Sequence, residues 1–113
     1  MNRKIVSLSK NEEFKSLLSG KKITNKYSTI FFKKLSDKNF KKLNISFVTK
    51  KRIGNAVSRN KIKRRLRNIM QEALKKININ LNYSYLLIAK NTILNDKYDD
   101  IKNVLFLNFK KIK

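Results

Sequence analysis

The spacing of apolar residues switches between a helical and a two-residue period along this chain, and the switches mark out its elements. Ser9-Lys10-Asn11-Glu12 has the S-x-x-E spacing of a capping box. Phe14, Leu17 and Leu18 follow at helical intervals, and Gly20 stands where a left-handed residue would end the turn, so residues 10–19 are expected to form a short helix. Residues 27–34 and 43–49 are rich in aromatic and β-branched side chains, with Leu43, Ile45 and Phe47 alternating against Asn44 and Ser46. Both are expected to be strands, joined by a polar turn at Ser36-Asp37-Lys38-Asn39.

From residue 58 to about residue 77, Ile62, Leu66, Ile69, Met70, Ala73, Leu74 and Ile77 keep a 3.6-residue period, which predicts a long helix with Ser58 as its N-cap. The opposite face of that helix collects Asn60, Lys61, Arg64, Arg67, Asn68 and Gln71, with Lys63 on its flank. Residues 83–89 form a short, nearly all-apolar run suited to a buried strand. Tyr98, Ile101, Leu105 and Phe109 then mark a last helix, capped near Asp96, with Asp99 and Asp100 in its first turn and Lys110 and Lys111 at its end. The order α-β-β(-β)-α-β-α predicts an α+β fold built as a two-layer α/β sandwich. Proline is absent, glycine occurs only at positions 20 and 54, and no repeat or linker interrupts the chain, so residues 1–113 are expected to be a single domain.

Charge changes the picture more than any other property. A formal net charge of +22 on 113 residues makes the folded state repel itself, which points to a polyanionic partner. The longest apolar run, Leu86-Leu87-Ile88-Ala89, is too short to cross a bilayer, and residues 1–7 turn polar before any signal-like segment develops. No membrane association is expected, and the cytoplasm is the expected compartment. The chain has no cysteine and no histidine, so it lacks the usual strong nucleophile and the usual near-neutral proton shuttle. Its seven carboxylates form no recognisable metal-ligand spacing. Neither a catalytic residue nor a protein-held metal is expected.

Lysine is scattered along the chain, but five of the six arginines (Arg52, Arg59, Arg64, Arg65 and Arg67) fall between residues 52 and 67. A guanidinium offers a planar fork that matches two phosphate oxygens, whereas an ammonium behaves as a mobile point charge. A solvated helix face is the ordinary reading of such a run. Here Lys61/Arg65 and Lys63/Arg67 stack like charges one turn apart, no acid intervenes before Glu72, and the cations crowd the positive end of the helix dipole. A phosphate-binding face accounts for strain that a solvated face would leave unrelieved. A DNA-reading helix would sit in a helix-turn-helix or zipper context, so a helix embedded between strands favours structured RNA, and DNA is not expected as a partner.

The run Lys50-Lys51, Gly54, Ala56-Val57, Arg59-Asn60, Lys63-Arg64 and Arg67 resembles the signature K-K-x-x-G-x-A-V-x-R-N-x-x-K-R-x-x-R of the bacterial ribonuclease P protein component. Leu8, Phe14 and Gly20 are similar to the family's amino-terminal helix pattern, and residues 85–90 to its late strand. The resemblance implies a sheet flanked by helices with a left-handed βαβ crossover, where general packing rules favour the right-handed form. It also implies a subunit of an endonuclease whose catalytic RNA removes the 5′ leader of precursor transfer RNA, with magnesium held mainly by that RNA. By position, Lys50, Lys51, Arg52, Arg59, Asn60, Lys61, Lys63, Arg64 and Arg67 become candidate contacts to the RNA subunit, and Gly54 would permit a tight loop into the helix. Phe14, Leu18 and Phe31 become candidates to line a leader cleft, where aromatic faces stack on bases; core packing is the alternative for all three. Thr49 stands where the family commonly has serine, Ser7 where it has arginine, and Lys90 where it has arginine. A small ribosomal protein that binds structured RNA without enzymatic role is the rival reading.

Overall fold

The computed structural model describes residues 5–8, 11–34 and 42–112. Five strands form one sheet: β1 (Ile5–Val6), β2 (Lys21–Thr24), β3 (Ser28–Lys33), β4 (Leu43–Val48) and β5 (Ser84–Ala89), in the order β1-β4-β5-β3-β2. Helices α1 (Asn11–Leu18), α2 (Ala56–Lys76) and α3 (Tyr98–Lys111) flank it, and short 3-10 turns occupy Lys51–Ile53 and Asn91–Leu94. β4 runs parallel to both β1 and β5, with α2 carrying the chain from β4 to its neighbour β5, while β3 pairs antiparallel with β5 and β2. The parallel pair sits at the centre, where both faces are covered, as parallel strands require.

Strand alternation assigns the two faces of the sheet. Ile30 and Phe32 of β3, Leu43 and Ile45 of β4, and Tyr85 and Leu87 of β5 point to one side, where Ile62, Leu66, Ile69, Met70 and Ala73 of α2 and Ile101, Leu105 and Phe109 of α3 complete the main core. Phe31, Val48, Leu86 and Ile88 point to the other side and meet Leu8, Phe14 and Leu17 in a smaller cluster under α1. The long periodic helix therefore packs where its apolar stripe demands, and the two-layer sandwich carries α1 as a short cover on its second face.

Element types agree with the sequence expectations apart from β1, an additional strand ahead of the first helix, and the other differences lie at the boundaries. The optional strand exists as β2, whose Lys-Lys-Ile-Thr sequence has no apolar alternation because three of its four residues are exposed on the sheet edge. β1 precedes α1 and is too short to show a period. Tyr27 lies just outside β3, in a turn where Asn25 Oδ1 accepts the backbone N–H groups of Tyr27 and Ser28, each at 2.8 Å. The cap expected at Ser9 and the turn expected at residues 36–39 lie outside the described residues. Gly20 is required for a different reason from the one expected. A Cβ there would stand 2.8 Å from the Phe32 carbonyl oxygen, so close approach of β3 selects glycine rather than a left-handed backbone.

α2 begins earlier than expected. Asn55, not Ser58, is its N-cap, and Asn55 Oδ1 accepts the Ser58 N–H at 2.8 Å. Asp96 does not cap α3 either. It accepts the Tyr27 hydroxyl and pairs with Lys26 at 3.0 Å, tying the β2–β3 turn to the start of α3. These two partners, Tyr27 foremost, hold the Asp96 carboxyl below its usual range, and the same hydrogen bond holds the Tyr27 hydroxyl above its own.

Candidate nucleic-acid interface

The interface is assembled where β4 leaves the sheet. Lys50 follows the strand, Ile53 is buried and anchors the 3-10 turn, and the Ile53 N–H donates to Lys50 O at 3.0 Å. Gly54 then passes so close to the first turn of α2 that a Cβ would lie 3.1 Å from Ser58 Cβ, so it is this contact, on an extended backbone, that favours glycine. The chain turns into α2 at Asn55, and its buried stripe fixes the rotation of the helix about its own axis. Asn60, Lys61, Lys63, Arg64 and Arg67 are all exposed on the outer side, as their spacing predicts. The described ion pairs join Lys26 to Asp96, Lys76 and Lys102 to Glu72, and Lys102 to Asp99; none takes in a cation of residues 50–67. The surface remains open to an external anion.

Arg59 behaves differently from its neighbours. It is half-buried, and its Nη1 donates to Gly54 O at 2.7 Å and to Lys51 O at 3.3 Å. Sequence spacing places it among the contacts but does not reveal that its fork is directed back into the loop.

A groove of about 310 Å³ opens at the carboxyl ends of the parallel strands, between the loop and the sheet. Lys50, Arg52 and Ile53 form one wall, and Thr29 with residues 88–92 forms the rest. Thr29 and Ile88 are register partners on the face that also carries Phe31 and Leu86, so the groove joins the cationic loop to the second face of the sheet. Lys90 donates from Nζ to Asn25 O at 2.7 Å, and its N–H donates to Tyr27 O at 2.8 Å. Thr29, Ile88 and Asn91 escape sequence reasoning, because nothing local marks a strand end as the wall of a groove assembled from three separate segments.

Of the three cleft candidates, Phe14 and Phe31 come together, half-buried, on the second face. Leu18 does not join them; half of its surface is exposed at the end of α1. Lys22 is the register partner of Phe31 and shares its face, which adds a cation to that side.

A divalent metal does not fit the carboxylates described. No group of three or more acidic, histidine or cysteine side chains converges among the described residues. Glu72 is engaged by Lys76 at 3.0 Å and Lys102 at 3.6 Å, interactions that hold its carboxyl below the usual range, with Lys76 the larger influence. Among the described residues no helix is long and apolar enough to cross a membrane.

A rigid α+β scaffold that fixes an uncompensated arginine-rich helix beside a basic groove defines a structured-RNA-binding protein. Comparison with known proteins narrows that class. The family model "Ribonuclease P" matches residues 2–113. The ribonuclease P protein component of Mycoplasma mycoides is 30% identical over 112 residues, covering 99% of this chain and 98% of the relative. That of Fusobacterium nucleatum is 36% identical over 115 residues, covering 95% and 96%. The solved ribonuclease P protein of Thermotoga maritima shares the fold at a TM-score of 0.80, with 21% identity and coverage of 96% and 98%. The chain belongs to the ribonuclease P protein family.

Proposed function

We propose that this protein subunit of ribonuclease P binds the catalytic RNA through the outer face of α2 and the loop before it, and holds the 5′ leader of precursor transfer RNA along the groove and the second face of the sheet. One observation carries this reading: Lys61, Lys63, Arg64 and Arg67 point outward together, and none is matched by an acid among the described residues. Exposed guanidinium groups on a fixed helix suit the phosphates of a folded RNA, and the positive end of the helix favours the same anion. On the second face Phe31 and Phe14 offer ring surface without hydrogen-bonding groups to read a base, which suits a leader of variable sequence.

The chain supplies binding, orientation and charge neutralisation. Hydrolysis belongs to the RNA, which also holds the magnesium that the reaction needs; Glu72, Asp96 and Asp99 are engaged by the chain's own lysines and, at Asp96, by Tyr27. Lowering phosphate repulsion allows the RNA to fold and bind substrate at a lower magnesium concentration.

The experiment is reconstitution of purified protein with its cognate RNA subunit and a precursor transfer RNA at limiting magnesium. Cleavage should rise well above that of RNA alone, and affinity should increase when a few unpaired leader nucleotides are added. No gain in cleavage, together with co-sedimentation on ribosomal particles, would establish the chain as a ribosomal RNA binder instead.

A further inference from the structure

Within the basic segment, Arg59 alone among the arginines turns its guanidinium onto the protein backbone. Both of its acceptors, Gly54 O at 2.7 Å and Lys51 O at 3.3 Å, belong to the loop that carries Lys50, Lys51 and Arg52. Its other ties are few: the buried Ile53 side chain, the Ile53 N–H to Lys50 O bond at 3.0 Å within the turn itself, and the Gly54 N–H, which reaches Lys51 O at a long 3.4 Å. Charge-assisted bonds from one planar group to two carbonyls fix both the distance and the angle of that loop against the first turn of α2.

We infer that Arg59 is a positioning residue: it locks the loop of residues 50–54 onto α2, and so sets the spacing between the groove cations Lys50 and Arg52 and the helix cations Lys61 and Arg64. A folded RNA presents phosphates at fixed separations, so two cation sets held in register bind without an ordering cost that a swinging loop would incur on every encounter. Both bonds come from Nη1, at the far end of the arginine side chain; a lysine at this position keeps the charge but has a shorter reach, so it does not substitute. The inference rests on the proposed RNA-facing role of α2, and its first readout is chosen to be independent of RNA.

Hydrogen exchange of the free full-length protein tests the clamp directly. Arg59→Ala and Arg59→Lys should both speed exchange at the Ile53 and Gly54 amides, while protection of Leu66 and Leu87 in the core stays at the wild-type level. Unchanged exchange at Ile53 and Gly54 overturns the inference, and so does a uniform rise that includes the core, which would make Arg59 a global stabiliser. Binding to the cognate RNA subunit supplies the second readout. Both variants should bind about tenfold more weakly than wild type, the order expected for loss of a charge-assisted contact. Arg52→Ala should cost markedly less affinity in the Arg59→Lys background than alone, because a displaced loop already misplaces Arg52. Full affinity in Arg59→Lys, or strictly additive losses, would make Arg59 an independent phosphate contact and overturn the positioning role.

Discussion

Two residues two positions apart on α2 separate the protein's tasks. Leu66 is fully buried against the sheet, whereas Arg64 is exposed with no ion-pair partner among the described residues. Leu66→Ala should lower stability by about 2–5 kcal/mol through a core cavity. Arg64→Ala should leave the melting temperature unchanged and weaken RNA-subunit binding by about 1–3 kcal/mol, flattening the salt dependence by roughly one ion. Thermal melts and salt-titrated binding on both variants check this, and equal effects on the two readouts would mean that the helix faces are assigned wrongly. Asp96 makes a separate claim about pH. Its folded carboxyl is held below the unfolded value by Tyr27 and then Lys26, so its contribution is present above the unfolded pKa and disappears as pH falls through the folded one. Asp96→Asn should therefore melt below wild type at neutral pH, and the gap should close as pH drops beneath the usual carboxylate range. A gap that stays constant into acid would show that the tie between the β2–β3 turn and α3 does not depend on charge.

At the level of elements, the proposed RNA contact depends most on the start of α2, since the cap sets where the cationic face begins. Asn55→Ala removes the acceptor for the Ser58 N–H and should cost about 0.5–2 kcal/mol in chemical denaturation, with Asn55→Ser restoring most of it. Wild-type stability in Asn55→Ala would return the capping role to Ser58. That boundary shows why some of the structure was legible in the sequence and some was not. α2, β4 and β5 bury wide apolar surfaces, so residues such as Leu66, Ile45 and Leu87 announce both period and partner face. β2 buries little, and its exposed Lys21 and Lys22 at the sheet edge leave no alternation to read. Val57 is 77% exposed in the first turn of α2, which masks the true helix start because an apolar residue there follows no core stripe. The cationic face was readable for the same reason as the core: once the buried stripe is fixed, Lys61, Arg64 and Arg67 have nowhere to point but outward. Arg59 and the groove were not readable, since both depend on how a loop folds back against strands distant in sequence.

For the whole molecule, the sheet separates the two proposed binding surfaces. The outer face of α2 lies on the main-core side, while Phe31, Phe14 and Lys22 lie on the other, and the groove lined by Lys50, Arg52, Thr29 and Ile88 connects them around the carboxyl ends of β4 and β5. Such an arrangement lets one partner occupy α2 while a single strand passes along the opposite side, and the two contacts can be separated by salt. A leader contributes its own neutralised phosphates, each adding roughly 0.7 to the salt slope for a single strand. Affinity of the reconstituted holoenzyme for a precursor with a few leader nucleotides should thus fall more steeply with salt than affinity for a leaderless one. Phe31→Ala should erase most of the leader's gain in affinity by removing a stacking surface, a loss of about 1–3 kcal/mol, while leaving both salt slopes where they were. Its binding to the RNA subunit should match wild type, because the ring faces away from α2. Parallel salt slopes for leaderless and leader-bearing substrates, or a Phe31→Ala defect in RNA-subunit binding alone, would place the leader somewhere other than the second face of the sheet.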